Sequence, residues 1–377
     1  MMFRPYLLAL FILPILTACA KDPVPQAEFQ QSTFAEYVEQ TQAWIRANRH
    51  FISDQSEQEV LLNSPFERKP DQPSNKAVLL VHGLSDSPYS FNDLADSLVE
   101  KGYVVRTILL AGHGTKPEDL MIPKLEDWVS AVHHHTQLLA AEYDDVWLGG
   151  YSTGANLVTS EAIENPEVDG LLLFAPAFKA KSKMVALAPW VKYFVDWADQ
   201  DLEENLVKYD SLAMNGAGVF YQTSERVIAL LDEHTLTIPV FMALSEADSV
   251  VDTPLAVERY KTRFNGPKML TWFGEASPDA TLKSTLRSMR LPEYRISNGS
   301  HMSLLFSPEN PLYGVSGLQR QCNNGQEDEA ELNCRQGADV WYSAWGYQEK
   351  DKVHARLTWN PYYHEMVQDI VGFMDHP

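Results

Sequence analysis

The chain has 377 residues, 45% of them hydrophobic and 21% charged, and its formal net charge is −21. That balance excludes the low-hydrophobicity regime of disordered chains and implies a sizeable buried core, while length alone leaves one or two domains open. The acidic excess argues against nucleic acid as a partner, since phosphate binding rests on Lys and Arg. It fits a neutral or cationic substrate, or simply a solvated, self-repelling surface.

The N-terminus carries one early cation, Arg4, then an apolar run over 7–16, then the small residues Thr17 and Ala18. This layout predicts a cleaved signal segment, 1–18, too short to span a bilayer comfortably. Leu16-Thr17-Ala18-Cys19 resembles the bacterial lipobox. That resemblance implies acylation of Cys19, a mature chain starting there, and lipid anchoring to membrane in the bacterial cell envelope. Ala20 after the cysteine points to the outer membrane, on its periplasmic or surface side. Each buried methylene adds about 0.8 kcal/mol, so several acyl chains anchor firmly. An ordinary signal peptide with an incidental cysteine is the alternative. Residues 19–32 then read as anchor and tether, and 33–377 as the folded domain.

A helix is expected at the start of that domain, where Phe34, Val38, Thr41 and Ile45 recur at helical spacing. Ala77-Val78-Leu79-Leu80-Val81 is a continuous apolar run, as for a strand buried on both faces of a parallel sheet. Similar runs occupy Tyr103 to Leu110, Val146 to Gly149, Leu171 to Phe174 and Val240 to Leu244, with helical stretches between them. This alternation predicts a doubly wound, mostly parallel α/β sheet. Two insertions interrupt it, at about 179–236 and about 307–358. The first carries Trp190, Tyr193, Phe194, Trp197, Met214, Phe220 and Tyr221. These either cap a site at the carboxyl ends of the strands or form the insertion's own small core.

Gly150-Tyr151-Ser152-Thr153-Gly154 matches G-x-S-x-G between a strand and a helix, the context that gives this motif meaning. A strained turn there exposes the Ser152 hydroxyl at a helix N-terminus, where negative charge is favoured. The backbone amides of Leu84 and Thr153 are the candidate oxyanion donors. His82, in the same loop as Leu84, is read as a brace rather than an acid-base group. In this fold the acid and then the histidine should follow the nucleophile. Asp248 is the chosen acid, with Glu246 and Asp252 as rivals and Asp252 better suited to capping a helix. His301, after the expected short strand Tyr294-Arg295-Ile296-Ser297, is the candidate base. Lys268 to Phe273 also reads as a strand, which leaves the last sheet strand open.

No metal site is expected. The His133-His134-His135 run lies on a helix, where consecutive side chains diverge, and is read as partly exposed. His364-Glu365 is followed by Gln368 where H-E-x-x-H needs a second histidine. Cys322 and Cys334 are expected to pair in an oxidising envelope, closing a loop at a gain of about 3 kcal/mol.

Together these motifs resemble the carboxylesterase and monoacylglycerol-lipase branch of the α/β-hydrolases, also grouped with serine aminopeptidase-like hydrolases. The resemblance is carried by His82-Gly83-Leu84, Gly112-His113-Gly114-Thr115, Pro117-Glu118-Asp119-Leu120, Trp128, the Gly150 to Gly154 turn, Asp248 and His301. It covers roughly 76–301, and Asn360 to Phe373 resembles the family's terminal helix. It implies an α/β-hydrolase fold and hydrolysis of small-molecule acyl esters through an acyl-enzyme, with no cofactor. An amidase, peptidase or thioesterase would use the same groups. A noncatalytic envelope lipoprotein using the fold as a binding scaffold is the alternative from another class.

Overall fold

A computed structural model describes residues 30–377. The expected signal segment, Cys19 and the tether as far as residue 29 lie outside the described residues. Thr33 accepts a hydrogen bond from the Glu36 amide and starts the helix Phe34–Asn48. Phe34, Tyr37, Thr41 and Ile45 form its buried stripe, while Val38 is only partly buried.

Eight strands form the central sheet: β1 (Glu67–Arg68), β2 (Lys76–Val81), β3 (Val104–Ile108), β4 (Asp145–Tyr151), β5 (Gly170–Phe174), β6 (Val240–Ser245), β7 (Lys268–Phe273) and β8 (Thr285–Arg287). Their spatial order is β1-β3-β2-β4-β5-β6-β7-β8, and every pairing is parallel except β1 with β3. The apolar runs have a simple cause. Ala77, Leu79 and Val81 enter the core on one face of the sheet, while Val78 and Leu80 enter the core on the other. A strand covered by helices on both sides has no polar face to show.

After β2 the chain adds β3 on one side and then returns to place β4 on the other. This reversal opens a crevice at the carboxyl ends of β2 and β4, where open α/β sheets bind ligands. Val81 lies opposite Gly150 in the register, so the loop after β2 and the turn after β4 are neighbours.

The structure corrects two expectations. Tyr294 to Ser297 is not a strand. Pro292–Tyr294 is a short 3-10 turn, Arg295 takes φ 54°, and Ile296 makes only isolated bridges. Pro292 has no N–H for a ladder, and the left-handed residue ends extension. The sheet closes instead with β7 and the three-residue β8. The histidine run is also not uniformly exposed: His133 faces solvent, whereas His135 is fully buried against Phe34 and Tyr37.

The first insertion contains the short pair Trp197–Asp199 with Leu212–Ala213 and the long helix Met214–Glu233. Its aromatics fill the expected roles only in part, since three of them are too exposed to form a core. Phe220 is buried and lines the cleft, whereas Trp190, Tyr193 and Phe194 are 75%, 74% and 89% exposed. The second insertion holds the helix Asp328–Arg335, the parallel pair Trp341–Ser343 with His354–Arg356, and a Cys322–Cys334 disulfide. No helix among the described residues is long and apolar enough to cross a membrane.

Candidate active site

The turn after β4 is fixed by backbone contacts. Ser152 takes φ 54° and ψ −113° and heads the helix Thr153–Glu164. A Cβ on Gly150 would come 2.4 Å from the Ala155 nitrogen, and one on Gly154 would come 1.9 Å from the Val81 carbonyl oxygen. Only glycine fits at either place, since both obstacles are main chain. The Ser152 amide donates to the Phe174 carbonyl at 2.9 Å, which pins the turn to β5. A non-glycine residue held at such a backbone angle stores strain of order 1–3 kcal/mol, and such strain gathers at functional sites.

His301 arrives from the loop beyond β8. Its Nε2 lies 3.0 Å from Ser152 Oγ, and its Nδ1 lies 2.6 Å from Asp248 Oδ2. Because an ionised carboxylate only accepts, Nδ1 carries the proton and Nε2 is left to accept from the serine hydroxyl. The other oxygen of Asp248 accepts from the amides of Val250 at 2.8 Å and Val251 at 3.0 Å. The Asp248 side chain is fully buried and that of His301 nearly so. The Tyr151 hydroxyl donates to the His301 carbonyl at 3.2 Å, tying the histidine loop back to β4.

The two rival acids are engaged elsewhere. Glu246 accepts from the Glu275 amide at 2.6 Å, at the edge near β8. Asp252 caps the helix Thr253–Arg263 through the Leu255 amide and pairs with Lys179.

Leu84 and Thr153 both line the cleft beside Ser152. Thr153 is the first residue of its helix, so its amide has no partner within the helix. The loop carrying Leu84 is braced from behind by two histidines. His82 Nδ1 donates to the Gly83 carbonyl at 2.7 Å, and its Nε2 accepts from the Leu110 amide at 3.1 Å. His113 Nε2 accepts from the Ser85 amide at 3.0 Å, and its Nδ1 faces the Leu110 and Ala111 carbonyls. Burial pulls both imidazoles toward the neutral form, His82 down to about 4. Neutral rings can donate on one side and accept on the other, as these braces require.

The cleft holds about 440 Å³, within the range of small-molecule sites. Both insertions reach it. Tyr209 of the first ties its amide to the Ser85 carbonyl and its hydroxyl to the Thr115 amide. Gln321, Asn323, Trp345 and Arg356 of the second complete the wall. Sequence reasoning missed the contributions of Tyr209, Lys208 and Arg356, for they carry no motif. No group of three or more His, Cys, Asp and Glu is placed to hold a metal among the described residues.

A doubly wound sheet, a serine on a strained strand-to-helix turn and a histidine within hydrogen-bonding reach of it define an α/β-hydrolase. Comparison with known proteins refines that class. The model of the serine aminopeptidase S33 family matches residues 72–215. A thermostable monoacylglycerol lipase of Bacillus sp. (strain H-257) is 34% identical over 95 residues, 25% of this chain and 38% of the relative. A carboxylesterase of Bacillus subtilis (strain 168) is 25% identical over 230 residues, 59% of this chain and 91% of the relative. Thus the match spans well under half of the first relative and most of the second. The chain thus has the α/β-hydrolase fold and is similar to esterases and monoacylglycerol lipases of that fold. Among solved structures, a soluble variant of the Saccharomyces cerevisiae monoglyceride lipase is similar at 15% identity and TM-score 0.47, covering 55% of this chain and 81% of that one. Paleococcus ferrophilus monoacylglycerol lipase is similar at 17% identity and TM-score 0.45, covering 60% and 91%.

Proposed function

We propose that this protein is a serine hydrolase of carboxylic esters, with Ser152 as nucleophile, His301 as general base and acid, and Asp248 as the group that orients the imidazole. The observation that carries this reading is the unbroken hydrogen-bond line from Asp248 through His301 to Ser152 Oγ, at 2.6 and 3.0 Å. His301 takes the hydroxyl proton as Oγ attacks the ester carbonyl, and Asp248 stabilises the imidazolium. The oxyanion then lies between the amides of Leu84 and Thr153. Collapse expels the alcohol, which receives the proton from His301. Water activated by the same histidine hydrolyses the acyl-enzyme and restores Ser152.

Similarity to a monoacylglycerol lipase and a carboxylesterase supports esters over amides or thioesters as substrates. A scaffold without chemistry is disfavoured because a strained serine and a buried imidazole-carboxylate pair have no packing purpose. The reading extends to location: Cys19 acylation would hold the enzyme at the envelope, and the disulfide suits an oxidising compartment. The test is turnover of p-nitrophenyl esters of increasing acyl length, beside the matching anilides. Ester hydrolysis should fall by about 10⁴-fold or more in Ser152→Ala. Wild type that cleaves only the anilides, or Ser152→Ala that retains wild-type turnover, contradicts the proposal.

A further inference from the structure

The cleft around Ser152 is also lined by Lys208 from the first insertion and Arg356 from the second. Other buried arginines of this acidic chain are paired: Arg49 with Glu59, and Arg106 with both Glu67 and Glu142. Lys208 and Arg356 form no ion pair among the described residues. Arg356 Nη2 donates to the Asn323 carbonyl at 2.6 Å, but its Nε is buried without an acceptor. Arg226, Arg259, Arg263 and Arg287 share a buried Nε without an acceptor, but each of them pairs with a carboxylate, as Arg356 does not. Burial lowers the Arg356 pKa, yet guanidinium stays charged throughout the range in which proteins fold.

Three carboxylates share the cleft, and two are occupied by the insertions themselves. Asp201 accepts from the Leu202 amide at 2.9 Å and from Asn323 Nδ2 at 2.8 Å. Asp210 accepts from the Glu204 and Asn205 amides at 2.8 and 3.1 Å, and burial pushes its carboxyl up to about 6. Asp199 is exposed. Three carboxylates and two cations thus line the cleft, and Asp210 acts on both cations through space; what sets Lys208 and Arg356 apart is that neither is in an ion pair with any of these carboxylates.

We propose that Lys208 and Arg356 form an anion subsite, and that the ester cleaved at Ser152 carries a carboxylate seated on it. The inference rests on the Ser152 reading and narrows its substrate class. It also departs from the neutral or cationic substrate that net charge suggests. The guanidinium of Arg356 suits a carboxylate, with Nη1 as the donor that is neither buried nor bonded to the protein, and Lys208 adds a second charge.

The test compares charged and neutral esters in pairs. One pair puts the carboxylate on the acyl side, p-nitrophenyl hemiglutarate against p-nitrophenyl pentanoate. The other puts it on the leaving group, p-carboxyphenyl butanoate against phenyl butanoate. The charged-to-neutral ratio of kcat/KM is measured for wild type, Arg356→Gln, Arg356→Lys and Lys208→Met, because comparison across variants cancels intrinsic reactivity. In one pair at least, Arg356→Gln should lower the ratio about tenfold or more, chiefly through KM of the charged ester. Lys208→Met, at a half-buried position, should lower it by less, and Arg356→Lys should recover part of it. A merely structural Arg356 would depress both esters alike and leave the ratio fixed. A ratio unchanged in Arg356→Gln and in Lys208→Met, in both pairs, overturns the anion subsite while leaving Ser152 hydrolysis intact. Failure of wild type to hydrolyse any of the four esters, with no fluorophosphonate labelling of Ser152, overturns the Ser152 reading and this inference with it.

Discussion

The turn from Gly150 to Gly154 and the second insertion around Cys322 and Arg356 line the same cleft but are held by different physics. The turn is fixed by main-chain contacts: a missing Cβ at Gly154 lets the helix sit against the Val81 carbonyl, and β2, β4 and β5 clamp its ends. The insertion has almost no sheet to lean on. A disulfide, a two-strand ladder and loop hydrogen bonds hold it, and its charged side chains find their places through tertiary packing alone. On the proposed reading, the two regions teach that reactivity sits on the rigid scaffold while selectivity sits on what has been added to it.

Breaking the rigid side should have the largest effect. Gly154→Ala forces a Cβ against the Val81 carbonyl oxygen, and the displaced helix costs roughly 3 kcal/mol or more. The denaturant midpoint should drop, and kcat should fall because Ser152 moves with its turn. Breaking the added side should act differently. Cys322→Ala with Cys334→Ala releases a loop worth about 3 kcal/mol of constraint in the chain-entropy model, without touching the sheet. KM should rise more than kcat falls, read from steady-state kinetics of the preferred ester. Equal losses in kcat for both variants would erase the distinction between the two regions.

The remaining prediction concerns the buried histidines behind the site. His82 and His135 are pulled by burial to about 4 and about 3, and His113 is lowered well below 6.5. Each is neutral in the fold and titrates near 6.5 when unfolded, so the unfolded chain binds more protons in acid. Their contribution is fully present above pH 6.5 and is lost as pH falls toward 3 or 4, by about 1.4 kcal/mol per unit for each group. Asp210, raised to about 6, works in the opposite direction and offsets part of this. Both ring nitrogens of His135 are buried without partners. His135→Phe should therefore stabilise the protein by about 1 kcal/mol at neutral pH and flatten the acid limb of its stability curve. Denaturant melts at several pH values check this, and an unchanged slope would place the proton uptake on other groups.

The same contrast explains what could be read from the chain. The buried strands announced themselves because a parallel sheet covered on both faces demands continuous apolar runs, as in Ala77 to Val81. Ser152 stood out because its turn tolerates only glycine at 150 and 154. Asp248 could be separated from Asp252 because the latter precedes a helix that needs a cap. By contrast, β8 is a three-residue edge strand with too little pattern to register, and Tyr294 to Ser297 imitated a strand that Pro292 and the left-handed Arg295 forbid. His135 hid in a run of three because a helix sends neighbours in different directions. Lys208 and Arg356 were illegible because their placement depends on two insertions folding over the sheet from opposite parts of the chain.

The central claim is that the Ser152 hydroxyl, activated by His301, is the reacting group. The most direct measurement is peptide mass mapping after treatment with a fluorophosphonate, on wild type, Ser152→Ala and His301→Ala. The account predicts one covalent adduct on wild type, located at Ser152, none on Ser152→Ala, and labelling slowed by orders of magnitude in His301→Ala. An adduct on another residue, or equal labelling of all three proteins, would contradict it.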